Sequence, residues 1–117
     1  MEIVINNFKC PSWNTYYAGK HWSQRKKKAD EIHALVWLSV LEQVKESVPF
    51  SKKVKLIYTV CYKDKRRRDA DNAAIKFFTD GLVEANILKD DSAEYVDEIS
   101  IKIKTGQVDN KVIIKII

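Results

Sequence analysis

The stretch Lys63–Ser92, KDKRRRDADNAAIKFFTDGLVEANILKDDS, decides the fold. It opens on a cationic run, Lys63, Lys65, Arg66, Arg67 and Arg68, broken only by Asp64, and passes into two alternate aspartates, Asp69 and Asp71. A helix-like segment follows, and a second acidic pair, Asp90 and Asp91, closes the stretch before Ser92. Carboxylates set beside a cluster of Arg and Lys are electrostatically awkward unless the two signs serve different partners. A hard metal ion suits the acids and a polyanion suits the bases.

Within this stretch the apolar spacing predicts a helix from about Asn72 to Ala85, with Ala74, Phe78, Gly81, Leu82 and Ala85 on its inner face and Asn86 as its C-terminal cap. Just before it, residues 53–62 alternate cleanly. Val54, Leu56, Tyr58, Val60 and Tyr62 fall on one face, and Lys55, Ile57, Thr59 and Cys61 on the other, which is the signature of a strand. After it, residues 96–104 predict a strand with Ile99, Ile101 and Ile103 inside. Thr105–Asn110, containing Gly106 and Asp109-Asn110, then turns the chain into a last strand over 111–117.

Upstream, Ile3, Val4 and Ile5 predict a short strand buried on both faces, ending before Cys10-Pro11. The next segment, PSWNTYYAGKHW, combines turn formers with Trp13, Tyr16, Tyr17 and Trp22 and reads as an aromatic loop. Its rings either stack on bases or pin the loop to the core, and buried aromatics are the commoner case. Ser23 is placed to cap a helix running to about Glu46, with His33, Trp37, Val40, Leu41 and Val44 on the side expected to face a sheet. His33 has no second His or Cys one turn away and reads as a boundary residue, not a ligand. The Arg25–Lys28 run opposes the helix macrodipole, so it marks either a phosphate contact or a solvated basic end.

The chain therefore reads as an α+β fold: a single domain over residues 1–117, in the order β-α-β-α-β-β, with a mixed sheet and two helices packed mainly on one face. Its 117 residues, 45% hydrophobic, support one modest core, and 21 Lys and Arg against 16 Asp and Glu favour a polyanionic partner. Cys10 and Cys61 lack the spacing of a zinc site or disulfide framework and are expected as free thiols. No apolar run approaches the roughly 18 residues of a membrane span and no signal-peptide layout opens the chain, so a soluble, cytoplasmic protein is expected.

Taken as chemistry, Asp69, Asp71 and a member of the Asp90–Asp91 pair are candidates to converge on a divalent ion. Alternate residues on an extended backbone point apart, so Asp69 and Asp71 share a metal only where strand gives way to turn or helix cap. The competing reading makes Asp69 or Asp71 a helix cap and Asp91 a turn cap, with the arginines neutralising them.

RRRDADN, followed by Lys76, Asp80-Gly81-Leu82, Ala85 and Asp90-Asp91, resembles the core of the RusA-type Holliday junction resolvases, and Pro11–Asn14 (PSWN) resembles that family's N-terminal Pro-Ser-x-Asn element. The resemblance covers the middle of the chain specifically and its ends loosely. It implies a RusA-like domain acting as a homodimeric, Mg²⁺-dependent endonuclease, with Mn²⁺ as a substitute ion, that makes paired nicks across four-way DNA junctions. Asp69, Asp71 and Asp91 would be the essential carboxylates, Asp90 a further metal-side acid, and Lys76 the base steadying charge at the scissile phosphate. DNA contacts would fall to Lys63, Lys65, Arg66, Arg67, Arg68, Arg25, Lys26, Lys27 and Asn14. Lys76 lies five residues after Asp71 where the best-known form of the motif has four. On a regular helix that leaves it about 140° out of alignment. Either the helix start is irregular, as with a π-bulge, or Lys76 has a lesser role. The rival functions are a non-catalytic nucleic-acid-binding module of the same fold and a protein-interaction component using the Trp and Tyr loop.

Overall fold

The alternation at 54–61 forms β2 (Val54–Cys61), and its inner residues Leu56, Tyr58 and Val60 are fully buried. The computed structural model describes residues 1–45 and 49–117. Around β2 it builds a four-stranded sheet in the order β1 (Glu2–Asn6), β4 (Lys111–Ile116), β2, β3 (Val96–Lys104). β2 and β3 are parallel, with Val54 opposite Val96 and Cys61 opposite Lys104, while β4 is antiparallel to both β1 and β2. The sheet is mixed, as expected.

β4 does not lie beside β3, where a simple hairpin would put it. It buries Val112, Ile114 and Ile116 on one face and half-buries Ile113 on the other, so it gains most from neighbours on both edges. β3 carries Glu98, Lys102 and Lys104 and is left at the edge, where charge discourages pairing with another chain. Its expected inner residues are accordingly half covered: Ile101 and Ile103 are partly buried and Ile99 is 43% exposed. β1 is the other edge, which is why Val4 is only partly covered while Ile3 and Ile5 are buried.

The helices cover the face that buries Ile3, Leu56, Tyr58 and Ile114. They are α2 (Trp22–Gln43), α3 (Lys76–Glu84) and a short α1 (Trp13–Tyr17). α1 occupies the expected aromatic loop. Ser12 starts it by accepting the Thr15 amide at 3.0 Å, and Tyr16 is buried with its hydroxyl donating to the Arg25 carbonyl at 2.9 Å. The rings of Trp13, Tyr16 and Phe77 form one cluster, so most of the aromatics pin α1 to α3.

α2 begins one residue earlier than its expected cap. His21 accepts the Ser23 amide through Nδ1 at 3.2 Å, and Ser23 lies inside the first turn. It ends at Gln43, and the expected end at Glu46 falls outside the described residues. Its buried side is Ile32, Val36 and Val40, packed against α3 and β1. Trp37 and Leu41, expected inside, are 50% and 58% exposed. At its C-terminal end the Gln43 side chain accepts the Val4 amide and donates to the Val4 carbonyl, both at 2.8 Å, closing part of the β1 edge.

The expected helix from Asn72 is split. A 3₁₀ turn, Ala70–Asn72, is followed by extended Ala73 and then by α3, whose inner residues Phe78, Gly81 and Leu82 are buried as the periodicity requires. Asn86 takes φ 63°, the left-handed conformation that ends a helix. Buried Thr79 is satisfied by the Tyr58 hydroxyl at 2.6 Å.

Candidate functional site

Two sequence elements far apart in the chain meet on the α1 side of the sheet. Ser12 and Ala73 form an isolated β-bridge, the Ala74 amide donates to the Pro11 carbonyl at 2.9 Å, and the Asn14 amide donates to Asn72 Oδ1 at 3.4 Å. Pro11, Ser12 and Asn14 thus border a single cleft of about 580 Å³ together with Asp69, Asn72 and Ala73, but not Asp71, and the first turns of α2 wall its third side. Among the described residues, seven cations line it: Lys9, Lys20, Arg25, Lys28, Arg66, Arg67 and Arg68. The one carboxylate in its wall is Asp69. So many like charges repel one another unless an anion comes between them, and the N-terminal end of α2 adds its own partial positive charge.

Asn14, Arg25, Arg66, Arg67, Arg68 and Asp69 from the sequence reading are brought together here. Lys28, the end of the Arg25–Lys28 run, joins them, whereas Lys9 and Lys20 were missed: both lie outside any basic run, and only the fold carries them to the cleft. Lys63, Lys65, Lys26 and Lys27 do not line it, and Lys26 pairs with Asp30 at 2.8 Å. Of the exposed aromatics, Tyr17 packs against the Arg25 guanidinium, 5.4 Å from its ring centre.

Asp64 organises the basic run that it interrupts in sequence. It takes the Arg68 Nη2 at 2.7 Å and the Arg66 amide at 3.1 Å, with Lys9 Nζ at 3.5 Å. Arg68 is further fixed over the Tyr62 ring, 4.1 Å from its centre. Its Nε is buried without a hydrogen-bond partner among the described residues. Arg68 is therefore a wall of the cleft, while Arg67 stands almost free, 93% exposed and 3.9 Å from Asp69.

Burial works against ionisation of Asp64, yet the Arg66 amide, Arg68 and Lys9 together hold its carboxyl below the usual carboxylate range. A depressed folded-state value contributes stability that is present above the ordinary carboxylate range and is lost as pH falls through the folded value. Asp64→Asn should therefore be less stable than the parent at neutral pH, and its thermal midpoint should fall less steeply on acidification below that range. Parallel acid limbs for the two proteins would show that the Asp64 contacts contribute nothing.

Among the described residues, no three His, Cys, Asp or Glu side chains are grouped so as to hold a metal ion. Asp69 and Asp71 lie in the connection after β2, and Asp90 and Asp91 in the connection before β3. Asp90 is drawn into its own turn, where the Asp91 amide and the Ser92 hydroxyl keep its carboxyl below the usual range. In kind, the donors suit Mg²⁺ or Mn²⁺: Asp69 and Asp71 are exposed hard-oxygen ligands at a break from extended backbone to 3₁₀ turn. Mg²⁺ is commonly held by one or two carboxylates, with waters and substrate phosphate completing its shell.

Lys76 is the first residue of α3, its ammonium 3.2 Å from Asp80. No continuous helix joins it to Asp71, because Ala73 is extended, so the 140° misalignment of a regular helix does not apply. Between Asp71 and Lys76 lie the end of a 3₁₀ turn and extended Ala73, not a π-bulge. Cys10 and Cys61 are buried and unlinked, as expected, and burial pushes the Cys10 thiol up to about 12. Among the described residues no helix is long and apolar enough to cross a membrane. No protein-family model matches the chain, and no curated protein matches it.

Proposed function

We propose that this chain is a metal-dependent, structure-selective DNA endonuclease, acting in the cytoplasm as a homodimer to resolve four-way junctions by paired symmetrical nicks during recombination and repair. The observation that carries this reading is the meeting of Pro11–Asn14 with Asp69–Asn72 on the wall of one basic cleft. These are two of the elements that carry the resemblance to the RusA-type resolvases.

In this reading Lys9, Lys20, Arg25, Arg66 and Arg67 bind backbone phosphates, and Arg68 is held in place by Asp64 and Tyr62 to bound the cleft. Lys63, Lys65, Lys26 and Lys27 lie outside the cleft and extend its positive field along the nucleic acid. Asn14 fixes α1 against the turn at Asn72. Asp69 and Asp71 hold Mg²⁺, or Mn²⁺ in its place. Asp91, with Asp90 beside it, is the further acid the resemblance assigns, and substrate completes the site, because among the described residues no three acids form a metal-holding group in the free chain. When bound, such an ion polarises the scissile phosphate, helps activate water and stabilises charge on the leaving oxygen. Lys76, held by Asp80 at 3.2 Å and five residues after Asp71, steadies the developing negative charge.

One observation favours a second reading, a non-catalytic nucleic-acid-binding module: Asp90 serves as a turn acceptor and, among the described residues, the acids form no three-ligand group. Incubating a synthetic four-way junction with and without Mg²⁺, with linear duplex as control, separates the two. Nicks confined to the junction and dependent on the ion are expected, whereas a binding module shifts the junction's mobility and leaves it intact. Neutralising Arg66 and Arg67 together should lower the slope of log affinity against log salt by about one unit for each phosphate no longer neutralised. An unchanged slope would show that the run only balances local acids.

A further inference from the structure

The face of the sheet turned away from the helices carries charge that is balanced at one end and unbalanced at the other. Leu56, Tyr58 and Val60 face the helices, so Ile57, Thr59 and Cys61 face away, and the register puts Lys102 beside Thr59, and Lys104 and Lys111 on either side of Cys61. Toward the start of β2, Lys55 pairs with Glu98 at 3.6 Å and Glu2 stands opposite Lys115. Toward its end, Lys102, Lys104 and Lys111 form no ion pair among the described residues. Lys63 and Lys65, equally unpaired, join them because the chain leaving β2 is tied to the turn between β3 and β4. The Tyr62 amide donates to the Lys104 carbonyl, the Gly106 amide to the Asp64 carbonyl and the Lys63 amide to Asn110 Oδ1, each at 2.8 Å. The Lys65 side chain lies over Gly106, where a β-carbon would come within 3.4 Å of its Cγ. Asp64 is already taken by Arg68 and Lys9, so five cations share this corner with little to balance them but Asp109 in the turn.

We propose that this corner of the open sheet face binds the phosphate backbone of a second duplex arm while the cleft holds the first, an inference that rests on the nucleic-acid reading of the cleft. Charge complementarity selects a polyanion, since converging lysines without carboxylates repel one another until an anion lies between them. Lys102 and Lys104 stand about 6.6 Å apart along β3, and Lys104 and Lys111 about 9.6 Å apart across two strand spacings, so one backbone reaches all three. Between them the outward face carries Ile57, Thr59, Ser100 and Ile113 and no aromatic ring. It offers bases nothing to stack on and contacts phosphate whatever the sequence. None of the five lysines lines the cleft, yet the two surfaces adjoin: Lys65 is followed by Arg66 and Arg67 in the cleft wall, and the 3₁₀ turn carrying Asp71 packs against β3. A linear duplex seated in the cleft has no second arm to lay on the sheet, whereas a branched one sends an arm out from the same point. The corner therefore favours branched over linear duplex.

Fluorescence anisotropy without divalent ion, on a four-way junction and on a linear duplex the length of one arm, tests the proposal. Lys102→Gln/Lys104→Gln/Lys111→Gln should weaken junction binding at least about tenfold at about 0.1 M salt and lower its log–log salt slope by about two to three units, while the short duplex loses less than about threefold. Lys52→Gln/Lys53→Gln/Lys89→Gln removes the same charge from exposed positions outside both surfaces and should leave both affinities within about threefold. Replacing Lys102, Lys104 and Lys111 by arginine should keep junction binding at the parent level, which carries the test even where the glutamines disturb the sheet. Equal losses in the two glutamine triples would reduce the effect to net charge and overturn the proposal, as would junction binding unmoved by the corner triple. A corner triple that binds the junction normally but no longer sediments with phosphatidylglycerol vesicles would also overturn it, in favour of a membrane surface. Because no ion is present, the result stands whether or not the chain cuts DNA. A parent that cuts the junction while the corner triple binds it unchanged overturns this inference alone, whereas a parent that binds neither DNA overturns the nucleic-acid reading with it.

Discussion

Asp71→Asn is expected to abolish Mg²⁺-dependent cleavage of a four-way junction, with a loss on the order of a thousandfold, while junction binding is kept or tightened. Asp71 lies in the 3₁₀ turn Ala70–Asn72 and is exposed, so an amide of the same shape leaves the fold alone. What changes is the charge. A ligand worth several kcal/mol of transition-state stabilisation is lost at about 1.4 kcal/mol per tenfold in rate. Removing an anion two residues from the cleft-lining Asp69 does not weaken the hold of the cleft's cations on a polyanion. Asp97→Asn, equally exposed but on the outer strand β3, is the control and should cut as the parent does. Mixed dimers of Asp71→Asn and parent chains should make mainly one nick. Near-normal cleavage by Asp71→Asn, with binding intact, would remove this carboxylate from the site and leave the non-catalytic reading in possession.

The parts of the fold that local period determines could be read from the chain. The alternation from Val54 and the spacing of Phe78, Gly81 and Leu82 gave β2 and the inner face of α3, and β3 runs over the expected residues. α2 defeats the same method because apolar residues surround it. Ile32, Leu35, Val36, Trp37, Leu38, Val40, Leu41 and Val44 occur on every side, so period alone does not choose a face. Close packing chooses it: α3 approaches through Gly81, and the slim Val36 fits there where Trp37 does not.

Strand order was equally hidden, since inserting β4 between β1 and β2 depends on pairing between distant residues and not on any local signal. At the candidate site the cationic run, the aspartates and the Pro-Ser-Trp-Asn element were each visible in sequence. That Pro11–Asn14 borders Asp69–Asn72 belongs to the fold. Asp64 looked like an interruption of the run because its role lies in interactions with Lys9 and Arg68 that the sequence does not display.

Gly81→Ala is expected to destabilise the chain by roughly 2 kcal/mol, against the direction that helix propensity alone gives. In the interior of an exposed helix, alanine is favoured over glycine by about 1 kcal/mol, so a gain would follow if nothing stood in the way. Here a β-carbon at Gly81 would lie 2.9 Å from Val36 Cβ and 3.1 and 3.2 Å from its two γ-carbons. The nearest of these atoms is fixed to the α2 backbone and has no rotamer to escape into, so α2 and α3 have to move apart. Overpacking of that kind costs about 1–3 kcal/mol and also loosens Phe78 and Leu82, which are fully buried beside it. Val36→Ala removes the two γ-carbons but leaves the closest atom, so adding it to Gly81→Ala should recover only part of the loss. Urea unfolding of the four proteins of this cycle measures both terms. A midpoint that rises in Gly81→Ala would mean that the two helices do not meet at this glycine.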